Sequence, residues 1–479
     1  MFVMGHNQLP PHLKKFRRLV YISPVITILS LSLLVWTYSS DMNFQFITRY
    51  YHATSDPQTP VQFTLPLHRG PGQMGPEEQK LSLMVVSGTK TVLVAAYQEH
   101  RTGQKEVRII AVVLRSETVA YRCLLRCQEQ LRISEGVSTT HSDHFGFAYG
   151  TADIMCPLPL GCETASHVTV ISAASDSKDT LDKEFLEVKN QKVQSDSFPY
   201  NFVICLSTMF DFTNVLQLVQ SLEMLHLLGV NRVVIYKTSN SPETQRILDY
   251  YKYKGFVEVI PWSLSKFVSV SRGWLPKHGP GDLHYFGQIP ALNDCLYRYM
   301  YQSRYVALQD MDELILPQSV NSWSELVPLL EMKYGKEKCY MFENNVFPNT
   351  VSLPPPTFQT LPPPSCCPGW ENVSGVNILA HLYQEPIITE TRYTNFKIIV
   401  NPRAVFSTSV HGLLSSLIDC SWVDRNIARM YHTRASRQTE LTADELIYDG
   451  RLLSYSTKLI PNVNAVFRES GLLPEGSIQ

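Results

Sequence analysis

Asp310, Met311 and Asp312 form the triplet with the clearest chemical potential, and a third acid, Glu313, follows at once. Residues two apart in an extended chain point the same way, so both aspartates could face one ligand. Their mutual repulsion, made worse by Glu313, is relieved by a divalent cation. Hard oxygen ligands suit Mn²⁺ or Mg²⁺, and such an ion can also hold a diphosphate. An Asp-x-Asp triplet alone is a weak signal, because a solvated acidic turn or a set of helix-capping acids spells the same letters.

The elements before the triplet carry more weight. Residues 305–308 read as a short buried strand, and in open α/β sheets ligands sit beyond the carboxyl ends of strands. Residues 202–206 read as a buried parallel strand. A helix is expected over 211–228, with Val215, Leu216, Leu218, Val219, Leu222, Leu225 and Leu228 at helical spacing. Thr213 can cap its start and Gly229 its end. A second strand falls at 232–236, and Ser241-Pro242 opens the next helix. Gly255 ends that helix before a third strand at 256–260, and a further helix is expected over 288–302. This βαβαβ spacing implies right-handed crossovers and a parallel sheet. No G-x-G-x-x-G and no G-x-x-x-x-G-K-[ST] occurs, so dehydrogenase and P-loop chemistry lack their phosphate loops.

Composition narrows the class. Lys+Arg is 42 against 43 Asp+Glu, which argues against a nucleic-acid binder. Hydrophobic residues at 44% and charged residues at 18% of 479 exclude wholesale disorder. Residues 1–18 contain no acid and end in Lys14, Lys15, Arg17 and Arg18, while 19–38 carry no charge. As a helix the latter would span roughly 30 Å, about one bilayer core. Trp36 and Tyr38 stand at its far end, where such rings prefer the interface. The positive-inside rule then gives a single-pass type II anchor. A cleaved signal peptide is the alternative, and Thr37-Tyr38-Ser39 makes a poor cleavage site. All 10 cysteines lie beyond residue 120, and an even number in an oxidising lumen suggests several disulfides. Cys205 and Cys295 fall in apolar patterns and also read as buried free thiols. Asn372-Val373-Ser374 is a glycosylation sequon.

The expected organisation is a cytosolic tail (1–18), a transmembrane signal-anchor (19–38), a stem (39–80), a small β-rich accessory domain with its linker (81–196), an α/β body (197–460) and a C-terminal tail (461–479). Short β-rich runs at 81–86, 91–97, 107–114 and 167–171 support the accessory domain, and the charged, Ser-rich 176–196 marks its boundary.

Residues 202–210, 214–236 (NVLQLVQSLEMLHLLGVNRVVIY), 250–262 (YYKYKGFVEVIPW) and 288–317 (QIPALNDCLYRYMYQSRYVALQDMDELILP) together resemble glycosyltransferase family 92. Met430-Tyr431-His432-Thr433-Arg434 looks like that family's terminal His-Tyr-Arg-type segment, with Thr433 where a Tyr is expected. The resemblance extends loosely over residues 80–460. It implies an α/β, GT-A-like nucleotide-sugar-binding domain over 197–460, with a mixed, mainly parallel sheet. It further implies a metal-dependent, inverting transfer of hexose (galactose from UDP-galactose) to a glycan acceptor, a bound Mn²⁺ and a Golgi membrane address with the catalytic part lumenal. Carried over by position, Asp310 and Asp312 would hold the metal and the donor's diphosphate or ribose. Glu313 would extend the motif, and His432 would complete the metal shell, with His411 as second candidate. Ser207 and the loop after it, through Asp211, would receive the nucleoside. An inverting reaction needs a carboxylate base; Glu343 and Asp419 are the two candidates, each also readable as a structural or surface acid. Trp262, Trp274 and Trp370 could stack on sugar rings or simply pack. The competing function on the same fold is a catalytically inactive, membrane-tethered glycan-binding or scaffold protein. A metal-dependent phosphohydrolase would need His and Asp on several strand ends, and no such set can be assembled.

Overall fold

The computed structural model describes residues 83–473 apart from 129, 175–182, 194–196, 357–366 and 368. The expected transmembrane helix at 19–38, the tail and the stem lie outside the described residues. Among the described residues no helix is long and apolar enough to cross a membrane.

Residues 84–189 carry alternating and continuous apolar runs that a closed sheet buries. The strands are β1 (Met84–Val85), β2 (Val92–Glu99), β3 (Glu106–Leu114), β4 (Tyr121–Cys127), β5 (Gln130–Thr140), β6 (Tyr149–Pro157), β7 (His167–Ser172) and β8 (Leu186–Lys189). Their order is β1-β2-β3-β6-β5-β4-β7-β8, and β8 pairs back onto β2 in parallel, Ala96 opposite Val188. Strands β2 to β8 thus close into a seven-stranded barrel, which removes the sheet's open edges. A disulfide joins Cys123 on β4 to Cys156 on β6, and a second joins Cys127 to Cys162. The first bridge crosses β5 at Gly136, where a Cβ would stand 3.0 Å from the Cys123 sulfur. Only glycine leaves room there.

The larger part, residues 200–469, contains β9 (Tyr200–Met209), α1 (Val215–Leu227), β10 (Arg232–Lys237), α2 (Pro242–Tyr253), β11 (Val257–Pro261), α3 (Gln288–Arg298), β12 (Ser303–Gln309), β13 (Glu313–Pro317), α4 (Trp323–Tyr334), β14 (Cys339–Phe342), β15 (Asn344–Pro348), β16 (Tyr383–Gln384), β17 (Lys397–Val400), β18 (Val405–Ser409), β19 (Gly412–Ser416), β20 (Cys420–Trp422), β21 (Ala428–Arg434), β22 (Ile447–Tyr448) and α5 (Ser456–Glu469). Seven strands form one sheet in the order β11-β10-β9-β12-β17-β14-β20. Its pairs from β11 to β12 and β14–β20 are parallel, while β17 runs antiparallel to both β12 and β14. A three-stranded sheet, β13-β21-β15, stands beside it. Cys205–Cys295 ties β9 to α3, and Cys339–Cys420 ties β14 to β20. The two cysteines that also read as free thiols are therefore bridged.

The expected fold class is corrected by these strands. The expectation is an α/β, GT-A-like fold with a mixed, mainly parallel sheet, preceded by a small β-rich domain and an N-terminal transmembrane helix. The described chain is instead mostly strand, with 22 strands and five α-helices. A closed barrel occupies residues 92–189. The closing strand β8 lies inside the segment 176–196 that reads as a linker. Its four residues alternate buried and exposed, and only the distant pairing with β2 gives that alternation meaning. Helix 288–302 also stops earlier than expected, at Arg298.

The barrel grips the larger part through charge as well as apolar packing. Tyr97 on β2 and Tyr236 on β10 both donate to the fully buried Asp294 of α3, at 2.6 and 2.5 Å, and Arg298 pairs with it at 3.0 Å. At the end of β2, Glu99 accepts from Arg101 at 2.6 Å and Arg108 at 3.2 Å, while Arg101 also donates to the Val405 carbonyl of β18. Burial works against the Glu99 charge, but the hydrogen bonds and charge of Arg101 outweigh it and hold the carboxyl down at about 2. A depressed carboxylate contributes its stability in full above the unfolded value of 4.5 and loses it as pH falls toward about 2. The shift corresponds to roughly 3 kcal/mol. Glu99→Gln should therefore lower the melting temperature at pH 7 and flatten its fall across that acid window. Melting curves of equal slope in variant and wild type would show that Glu99 is not what the acid limb titrates.

Candidate active site

Strand β12 ends at Gln309, and the chain turns at once: the Glu313 amide donates to the Asp310 carbonyl at 3.3 Å, closing a four-residue turn before β13 begins. The two aspartates are therefore not successive same-face residues of a strand, as the spacing suggested. They nonetheless line the same cavity, of about 860 Å³, together with Glu313. The turn is clamped from the far side by β21, where His432 stands opposite Glu313 and the Thr433 amide donates to the Asp312 carbonyl at 3.0 Å.

Charge compensation comes from a residue the sequence did not single out. Lys397, first residue of β17, is 2% exposed and places its ammonium 2.8 Å from Asp310 Oδ2 and 3.3 Å from Glu313 Oε2. Gln288 at the start of α3 donates to Asp310 Oδ1 at 3.2 Å, and Ser207 on β9 adds another hydrogen bond. Burial opposes the Asp310 charge, yet Lys397 dominates and holds that carboxyl down at about 2. Burial pushes the Glu313 carboxyl up to about 7, with Asp310 adding to the rise against the pull of Lys397. His432 Nε2 lies 3.2 Å from Asp312 Oδ2, and its Nδ1 lies 3.5 Å from Glu313 Oε1. Burial would lower this imidazole, but the Glu313 and Asp312 carboxylates raise it.

Ser207, Asp310, Asp312, Glu313, His411 and His432 are thus brought together on one cavity. His411 bonds the Phe396 carbonyl through Nδ1 at 3.3 Å, and burial, then Lys397, push its imidazole down to about 4, so it is neutral at pH 7. The other expected residues stand elsewhere. Asp211 is exposed, bound to Ser239 and Arg272, and does not line the cavity. Glu343 is buried against Arg392 at 2.5 Å and Arg425 at 3.5 Å, outside the cavity lining. Asp419 lies exposed between β19 and β20. Asn372, in the sequon, is exposed on a short turn. Trp262 and Trp370 are core residues whose indole N–H groups bond Phe286 and Asn464, whereas Trp274 lines the cavity. At the rim, Arg434 and Arg437 are exposed and make no ion pair among the described residues.

A cavity this size, with convergent carboxylates, cations and aromatic rings, is a site for a charged polar small molecule. The chain belongs to glycosyltransferase family 92, whose family model matches residues 200–468. Strand β1 and the barrel strands β2 to β8 precede the matched range. Three relatives from Caenorhabditis elegans are similar over parts of the chain. Glycosyltransferase family 92 protein F13G3.3 is 27% identical over 27% of this chain and 25% of its own length. Glycosyltransferase family 92 protein F55C10.4 is 24% identical over 33% and 31%. Beta-1,4-galactosyltransferase galt-1 is 22% identical over 47% and 50%. The chain therefore spans between a quarter and a half of the relatives' lengths.

Proposed function

We propose that this chain is a glycosyltransferase that moves a hexose, galactose from UDP-galactose, to a glycan acceptor with inversion at the anomeric carbon. The observation that carries the reading is the acidic turn Asp310–Glu313 opening on the cavity, braced by Lys397 and His432. Family membership and the name of the galactosyltransferase relative support it. Disulfides such as Cys123–Cys156, Cys127–Cys162, Cys205–Cys295 and Cys339–Cys420 suit a lumenal, secretory setting such as the Golgi.

A divalent cation, Mn²⁺ or Mg²⁺, fits this site through two protein ligands. Asp312 and His432 offer one oxygen and one nitrogen at the cavity wall, while Asp310 is already engaged by Lys397 and Gln288. Among the described residues no group of three His, Cys, Asp or Glu could hold an ion alone, so the donor's phosphate oxygens would complete the shell. When bound, the ion would stabilise negative charge on the departing diphosphate. The protein's own contribution is positional. Lys397 keeps Asp310 ionised and fixed beside Gln288, and Glu313 anchors the turn by accepting from the Asp310 amide at 2.7 Å. Arg434 and Arg437 add positive charge at the rim, suited to diphosphate oxygens. Glu343 and Asp419 do not line the cavity, so we assign the acceptor's proton to neither.

The test is transfer itself. Full chain incubated with UDP-galactose, Mn²⁺ and a mixed glycan pool should release UDP and add one hexose to a subset of glycans, read by mass. No release of UDP from any common sugar nucleotide would remove the enzymatic reading and leave a glycan-binding or scaffold role.

A further inference from the structure

Resting on the glycosyltransferase reading, we infer that Trp274, Tyr285, Gln288 and Thr208 form a pyranose-binding subsite within the cavity, adjoining the acidic turn. Three observations converge on it. Thr208 Oγ1 and Gln288 Oε1 are buried without a hydrogen-bond partner among the described residues, the two residues being 4% and 1% exposed, and both line the cavity. Leaving such atoms unpaired costs on the order of 1–3 kcal/mol each, a cost that hydroxyl groups of a ligand would remove. Trp274 and Tyr285 line the same cavity, and neither the indole N–H nor the phenol hydroxyl has a hydrogen-bond partner among the described residues. Rings with a free polar edge suit a sugar, whose apolar C–H face stacks while its hydroxyls bond.

The backbone is bent to present these rings. Tyr285 and Phe286 hold φ of 33° and 53°, followed by Gly287 at 71°. Two successive bulky residues in the left-handed region are strained by about 1–2 kcal/mol apiece, and such strain clusters at ligand sites. Packing maintains it: Phe286 stacks on Phe210 at 4.0 Å, and its carbonyl accepts the Trp262 indole N–H at 2.7 Å. Trp274 rests on Phe145 and His284, at 5.1 and 4.7 Å between ring centres. Phe145 comes from the loop between β5 and β6, so the barrel buttresses the shelf. Gln288 decides what occupies it. Its amide nitrogen bonds Asp310 while its oxygen is free, so the subsite lies within one ring of the diphosphate's expected place. That is the position of the donor's hexose or of the acceptor's receiving sugar.

Steady-state kinetics on the full chain, with UDP-galactose and the glycan that accepts, tests this. Trp274→Ala should raise one KM roughly tenfold, with kcat and inhibition by UDP little changed, and Trp274→Phe should recover most of the loss. The KM that moves names the source: the donor's hexose or the acceptor's sugar. Thr208→Val should raise the same KM several-fold without lowering the melting temperature, because it deletes an unpaired buried hydroxyl. Unchanged KM values in both variants, or weakened inhibition by UDP alone (a nucleobase shelf), would overturn the subsite. A wild type that releases UDP from no sugar nucleotide would instead sink the underlying function.

Discussion

Asp312→Asn is expected to lower kcat/KM for sugar transfer by roughly 10³-fold while leaving the fold intact. Asp312 is the most exposed carboxylate of the turn, at 38% of its side chain, and the one not engaged by Lys397. Replacing it removes a negative oxygen donor but keeps the shape and the backbone bond from Thr433. Stability should therefore hold while donor binding and turnover fall together. Measured by UDP release at fixed Mn²⁺, activity within a few-fold of wild type would show that this carboxylate does not meet the donor.

Lys397→Met should have the opposite signature, a large loss of stability. The ammonium is buried against two carboxylates at 2.8 and 3.3 Å. Burial disfavours its charge, but Asp310 and Glu313 raise its affinity for the proton above the ordinary lysine value. Removing one partner of a buried ion pair leaves uncompensated charge and costs about 3–5 kcal/mol. The deficit should shrink as pH is lowered, because Glu313, already pushed up to about 7, takes a proton and no longer needs a cation. Denaturation at pH 8 and pH 6 gives the comparison. A variant as stable as wild type at both values would mean that the ion pair contributes little.

Which parts of this site were legible in the sequence follows from the range of the interactions. The acids Asp310–Glu313 were readable as a site because their meaning is local, acids directly after a short apolar strand, but the turn they make was not, since the spacing suggested an extended same-face pair. The helix expected over 211–228 was readable because seven apolar residues repeat at helical spacing, but it forms over Val215–Leu227 and starts after Asn214, so Thr213 is not its cap. Lys397 was not, because nothing near it marks a lysine whose partners lie 87 and 84 residues earlier; only the β12–β17 pairing places it there. Barrel closure was hidden for the same reason, since β8 has meaning only against β2. Asp211 misled because its neighbours Phe210 and Phe212 line the cavity while it does not: the residue takes a φ of 43°, and its amide donates to Ser239 outside the cavity. Glu343 misled because a carboxylate one strand away is indistinguishable, by spacing, from one aimed at Arg392.

Calorimetric titration of the full chain with UDP-galactose, in Mn²⁺ and in chelator, bears most directly on whether the acidic turn grips a sugar nucleotide. We expect saturable binding with Mn²⁺, abolished in Asp312→Asn at unchanged melting temperature. Equal affinity in Asp312→Asn and wild type, or no heat with any sugar nucleotide, would contradict it.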